Sequence, residues 1–267
     1  MNNTVQDVAL LPANLRRAEL PYAWIALAII AAIWQLACTL SESSSFLVPA
    51  PSAIAVDLWH NWRYFIPHLW RTTLEIIIGF ACSIALGLPM AILLTFSRVL
   101  DRALYPLIVA SQVVPKVAIA PVMLVIFGFG MMPKIAIIIT VAFFPIVINA
   151  VVGLRSASAQ MIYLAHSMGA TPAQIFWRFR LPQALPSLMA GIKMASVLAV
   201  IGAVVAEFVG ADSGLGYVIV SASSDFNVTR QFSAIVLLSA LGMLFFWITE
   251  LAERRVVPWH ISNRGHE

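Results

Sequence analysis

Charge is scarce in this chain. Only 10% of its 267 residues are Asp, Glu, Lys or Arg, where a soluble domain carries roughly 25%. No acidic residue occurs between Asp101 and Glu207. A water-facing globular surface is therefore not expected. Cysteine is nearly absent too. Cys38 and Cys82 have no paired spacing, which argues against a disulfide framework and leaves both as small apolar packing residues. The five histidines, His60, His68, His166, His260 and His266, are scattered, so no metal site is expected. HExxH, GxSxG and any Cys-His spacing are missing, and with them the usual marks of hydrolytic or nucleophilic catalysis. There is no P-loop either. Glycine recurs in Gly210-Ala211-Asp212-Ser213-Gly214-Leu215-Gly216, but no Gly-Lys-Ser or Gly-Lys-Thr follows. That segment reads as an outer turn, and no cofactor or nucleotide is expected on this chain. The expectation is a non-enzyme.

What the chain has in quantity is apolar residues, at 61% and a mean hydropathy of +0.92. Crossing a bilayer takes roughly 20 of them in a row. About six such runs occur, at residues 21–39, 69–96, 103–129, 135–152, 188–209 and 232–251. The expected fold is an all-α integral membrane protein, one domain over residues 21–252 with an N-terminal arm (1–20) and a tail (253–267). The third run carries Pro106, Pro115 and Pro121, each lacking a backbone donor, and is open to division into two shorter helices. Arg16, Arg17, Arg98, Arg102, Arg155, Arg178, Arg180, Arg254, Arg255 and Arg264 fall on one side of these spans, while Arg63, Lys134 and Arg230 fall on the other. The positive-inside rule then puts both termini in the cytoplasm. The first span reads as an uncleaved anchor rather than a signal peptide. Between the first two spans, Ser52 is a candidate N-cap for a short surface helix in which Ile54, Leu58 and Trp62 share a face.

The long basic interruption at residues 153–190, between the fourth and fifth runs, has local order of its own. Gly169 fits a helix-ending position, and Thr171, Pro172 and Gln174 supply an N-cap, a first-turn proline and a reciprocal cap. This reads as helix, turn, helix, the second helix running through Phe176, Trp177 and Arg178 until Leu181-Pro182 interrupts it. Aromatic bulk and positive charge together suit a partner protein or, alternatively, lipid headgroups.

The run Ala165-His166-Ser167-Met168-Gly169-Ala170-Thr171, continuing to Leu181-Pro182, resembles the cytoplasmic loop signature of permease subunits of binding-protein-dependent ABC importers. The spacing of Gly and Leu-Pro matches, whereas Tyr163 and Leu164 stand where the family has Glu and Ala. The resemblance spans residues 46–259 and is similar to the branch that imports nitrate, sulfonates, taurine, bicarbonate, riboflavin and thiamine pyrimidine precursors. It implies a bacterial inner-membrane location, ATPase subunits that use ATP beneath the loop, an extracytoplasmic solute-binding protein and a second permease copy. No nucleic acid partner is implied. Carried onto this chain, the coupling residues are Tyr163, Ala165, Gly169, Ala170, Thr171, Phe176, Arg178, Leu181 and Pro182.

Ionisable groups within spans are costly and mark function by default, which singles out Glu75, Lys116 and Glu207. Glu75 lies one turn from Arg71 and is open to simple pairing; Glu207 lies near enough to a span end to reach interfacial water. Lys116, beside Pro115 and after Gln112 in the broken third run, sits where interrupted helices line a cavity. A cation there suits an anionic cargo. Pro145 and Asn149 are added to this pathway as a bend and a hydrogen-bonding group. A self-sufficient carrier driven by an ion gradient, with these charges as coupling groups, is the competing class.

Overall fold

The computed structural model describes residues 19–40 and 48–261. The expected N-terminal arm up to residue 18 and the last six residues of the tail lie outside them. Every regular element among the described residues is a helix: α1 (Glu19–Leu40), α2 (Pro51–His60), α3 (Trp62–Phe96), α4 (Arg98–Ala110), α5 (Lys116–Phe127), α6 (Met131–Arg155), α7 (Ala159–Ser167), α8 (Pro172–Ile175), α9 (Leu181–Gly210), α10 (Leu215–Ser224), α11 (Val228–Val256) and α12 (Pro258–Ile261). Four helical stretches are long and apolar enough to cross a membrane: α3, α6, the continuous run 172–210 that ends in α9, and α11.

The third apolar run is indeed two helices. Residues 111–115 break it, and at 1.5 Å per residue α4 and α5 each reach only about 20 Å, short of the roughly 30 Å hydrocarbon core of a bilayer. Two other expectations need correction. Ser52 does not cap α2; Ala50 occupies the cap and Pro51 opens the helix, its fixed φ suiting a first helical position. The glycine-rich stretch after α9 is only in part a turn, because its last residues begin the ten-residue helix α10.

The core is built on α6, which packs most extensively on α9 and then on α3. Small residues allow the approach. A Cβ on Gly79 or Gly87 would lie 2.5 or 2.9 Å from Ile138 or Ile146 of α6, so α3 and α6 run parallel. Gly191 abuts Asn149, and Gly153 abuts Ala184, so α9 returns antiparallel. Ile76, Ile138, Ile146, Ala195 and Ala199 fill the centre. The largely exposed α1 lies at the periphery, held by Trp34 against Phe232 at 6.3 Å between ring centroids and by the Ser52 N–H donating to Gln35 Oε1.

Candidate functional site

One end of the bundle carries the segment between α6 and α9. Ser158 caps α7 by accepting from the Met161 N–H. The helix stops at Gly169, whose φ of 78° is costly for residues with a Cβ. Ala170 N–H donates to Ala165 O and Gly169 N–H to His166 O, the double closure of a Schellman ending. Thr171 and Gln174 then cap each other across α8. Every turn of this segment is secured by residues close in sequence.

Beyond Ile175 the sequence expectation fails in an informative way. Leu181-Pro182 does not interrupt the helix. Phe176–Arg180 form a π-helical turn and the chain continues without a break into α9, held there by the packing of α9 on α6. The outer surface is apolar: Tyr163, Met168 and Trp177 are 71%, 79% and 65% exposed, and Leu164 and Arg178 are exposed beside them. Ala165 is buried inside the segment. Phe176 packs within the chain, 5.6 Å from Phe96 and 5.3 Å from Trp177 between ring centroids, so Trp177 is the aromatic left outward. Ala170, Leu181 and Pro182 are half-buried at the joints.

At the opposite end lies a buried polar cluster. Glu75 of α3 receives Lys134 Nζ of α6 at 2.6 Å and lies 3.3 Å from Arg71. Lys134, read from sequence as a charge of the outer connections, is only 3% exposed. Glu207 of α9 is likewise 2% exposed and does not reach interfacial water. Its carboxylate accepts from Thr72 Oγ1 at 2.7 Å and from the Gly216 N–H. Leu215 N–H donates to Thr72 Oγ1 at 2.8 Å and Gly214 N–H to His68 Nδ1 at 3.1 Å. The backbone donors of Gly214, Leu215 and Gly216 at the start of α10 are thus satisfied by side chains of α3 and α9, which meets orphan groups of a helix start.

A second ion pair joins the half-buried Lys193 of α9 to the buried Glu253 of α11, with Ser196 and Thr249 in hydrogen-bond contact nearby. Sequence reasoning missed both lysines. Lys193 falls inside the expected fifth span, so the rule that flagged Glu75 would have found it; Lys134 gave no such signal. Lys116 differs from both. It opens α5 at the break between the two half-length helices, its Nζ 6.0 Å from the Phe144 ring centroid, and it forms no salt bridge with a described residue. Gln112 and Pro115 are exposed in the same break. Asn149 lies elsewhere, in the α6–α9 seam: its Nδ2 donates to Pro145 O, and its backbone carbonyl accepts from Ser187. Of the pathway residues read from sequence, Glu75 and Glu207 thus meet in the buried cluster, each with further structural partners, Gln112, Pro115 and Lys116 come together at the break, and Asn149 joins neither group.

Fold and site define the class: a multi-pass helical membrane protein with a self-capped, apolar-surfaced hairpin at one end and a helix broken at mid-span. Residues 83–258 match the family model described as "Binding-protein-dependent transport system inner membrane component", and the chain belongs to that family. It is 38% identical to the formylaminopyrimidine transport permease ThiX of Halalkalibacterium halodurans, over 85% of this chain and 91% of that one. It is 33% identical to the riboflavin transport system permease RibX of Chloroflexus aurantiacus, over 93% and 94%, and 27% identical to the taurine transport system permease TauC of Escherichia coli, over 88% of each chain. Among solved structures it is similar to the MetNI methionine ABC transporter in an inward-facing conformation, with a TM-score of 0.63 and 25% identity over 75% of this chain and 97% of that one. The chain is an inner-membrane permease subunit of an ABC importer for a small solute, a transport component and not a free-standing carrier.

Proposed function

We propose that residues 153–190 form the cytoplasmic loop on which a separate ATPase subunit docks, and that both termini share that side. The observation that carries this reading is the hairpin surface, where Tyr163, Leu164, Met168 and Trp177 are exposed on a turn whose own hydrogen bonds are complete. Large apolar side chains held outward on an ordered segment lower their free energy by being covered. Arg178 beside them supplies charge for an acidic groove. ATP is used on the ATPase, and none is held by this chain. Residues 21–252 form the permease domain, flanked by an N-terminal arm and a C-terminal tail.

Two copies enclose the pathway, an extracytoplasmic binding protein delivers the cargo at the opposite end, and lipid surrounds the rest. The broken helix α4–α5 lines the pathway, with Lys116, Gln112 and Pro115 at its midpoint, because a cation without a carboxylate partner at membrane depth faces water or cargo. The similarity to ThiX and RibX favours a vitamin-precursor cargo bearing polar or anionic groups. Co-purification of the detergent-solubilised chain with its cognate ATPase tests the docking site. Wild-type binding that is lost on combined Gly169→Val and Arg178→Glu substitution is expected; equal binding by both would place the ATPase elsewhere.

A further inference from the structure

Helix 172–210 contains a defect with a definite chemical cause. In an uninterrupted α-helix, Leu181 N–H would donate to Trp177 O and residue 182 to Arg178 O. Pro182 has no N–H, and its ring in that geometry would collide with the Arg178 carbonyl. The chain accommodates it by widening one turn: Leu181 N–H reaches Phe176 O, five residues back. Widened turns of this kind inside α-helices are frequent at functional sites. Because Pro182 donates nothing, the hydrogen-bond ladder of the long helix also loses a rung here, as it does again at Pro186.

Both sides of the defect are held fast. On the hairpin side, the Gly169 ending and the Thr171–Gln174 capping box define a unit closed by its own bonds. On the α9 side, Ser187 Oγ donates to Asn149 O at 2.8 Å, and Gly153 and Gly191 bring α6 and α9 into backbone contact. Across the widened turn the contacts are of another kind. Phe176 and the Arg180 guanidinium both lie 5.6 Å from the Phe96 ring, and ring contacts tolerate sliding better than a hydrogen bond tolerates bending.

We propose that Pro182 is a positioning residue that makes the turn Phe176–Arg180 a hinge, across which the hairpin swings against α9 while both remain helical. This rests on the reading of the hairpin as the ATPase docking site. The hinge determines how much of the ATPase movement enters the α6–α9 core and how much is taken up in the turn.

The test is a pair of spin labels at the exposed positions Ala173 and Ala190, one on each side of the turn, in the complete transporter reconstituted with its ATPase. The distance between them is measured without nucleotide and in the vanadate-trapped state. A second pair, Gln160 with Ala173, reports on the hairpin alone. A change in the first pair and none in the second is expected. In Pro182→Ala, where residue 182 regains its N–H, the change should vanish and cargo uptake should fall ~10-fold; Pro186→Ala, one turn further on, should keep the change. An Ala173–Ala190 distance constant through the wild-type cycle, with the ATPase bound, would overturn the hinge while leaving the docking reading intact. A Pro182→Ala variant that keeps both the change and full uptake would also overturn it. Failure of the wild-type chain to bind the ATPase would instead remove the docking reading and the hinge with it.

Discussion

The two ends of the bundle satisfy their polar groups in opposite ways. At the end where α9 meets α10, Glu75 is paired with Lys134, 59 positions away in sequence, and Glu207 with Thr72, 135 positions away. The polar groups are sequestered and the helices are tied to one another. In the hairpin, each cap is completed within a few residues and large apolar side chains are turned outward. The first arrangement fixes three helices relative to one another; the second makes a compact unit whose caps are all closed by residues near in sequence. On the proposed docking of the ATPase at the hairpin, that asymmetry lets motion enter at one end while geometry is conserved at the other. Substitutions at the far end should therefore act on stability, and those in the hairpin on coupling.

The largest expected effect is at the far end. Removing one member of a buried ion pair leaves the other charge uncompensated, at about 3–5 kcal/mol, so Glu75→Ala, which strands Lys134, should sharply reduce thermal stability and yield in detergent, and Lys134→Ala should do so less, because Arg71 still faces Glu75. Glu75→Leu combined with Lys134→Met should recover most of the loss, since paired apolar replacement is often neutral. If either single variant unfolds at the wild-type temperature, the pair does not fix α3 to α6.

Next comes the α9–α10 turn. Gly214 has φ 115°, and a Cβ there would overlap the Glu207 carboxylate. Gly214→Val should therefore cost on the order of 2 kcal/mol through strain and the displaced cap, read as a lowered unfolding temperature, while ATPase co-purification persists. Loss of ATPase binding in a folded Gly214→Val protein would show that the two ends are coupled more tightly than this division allows.

Gly169 offers the reverse case. A Cβ there meets nothing within 4 Å, so Gly169→Val adds no clash, only the left-handed conformational penalty of about 1–2 kcal/mol, confined to the hairpin. Uptake should fall severely with little change in unfolding temperature. Wild-type uptake at wild-type abundance would show that the hairpin conformation does not matter to transport.

The same asymmetry decides what could be read in advance. Thr171, Pro172, Gln174 and Gly169 act on neighbours one to five residues away, so sequence spacing alone carries their roles. Glu207 and Thr72 become partners only after α3, α9 and α10 have packed, and nothing near Glu207 in sequence announces a burial that its place near a span end argues against. Lys134 is a similar case, its partner 59 residues back. For Leu181-Pro182 the local signal was correct about the missing donor and misleading about the outcome: the seam between α9 and α6 carries the helix through, and the cost is absorbed as a widened turn. Leu215 and Gly216, the first residues of α10, read as part of a turn because the stretch before them is rich in glycine, and that helix start is stabilised by side chains from elsewhere in the chain.

The smallest expected effect is at Thr171, and it separates the capping bond from the hairpin surface. Thr171→Ala removes the acceptor for the Gln174 N–H and should cost about 1 kcal/mol, felt in the hairpin and not in the core. Thr171→Ser keeps the hydroxyl and should behave as wild type. If the hairpin is a unit closed by its own bonds, Thr171→Ala should weaken ATPase binding several-fold at unchanged unfolding temperature, because part of the docking energy goes to reordering α8. Equal losses in Thr171→Ala and Thr171→Ser would mean that the threonine methyl group contacts the partner directly and that the cap itself is dispensable. The contrast between a self-sufficient hairpin and an interlocked far end would then rest on the Gly169 ending alone.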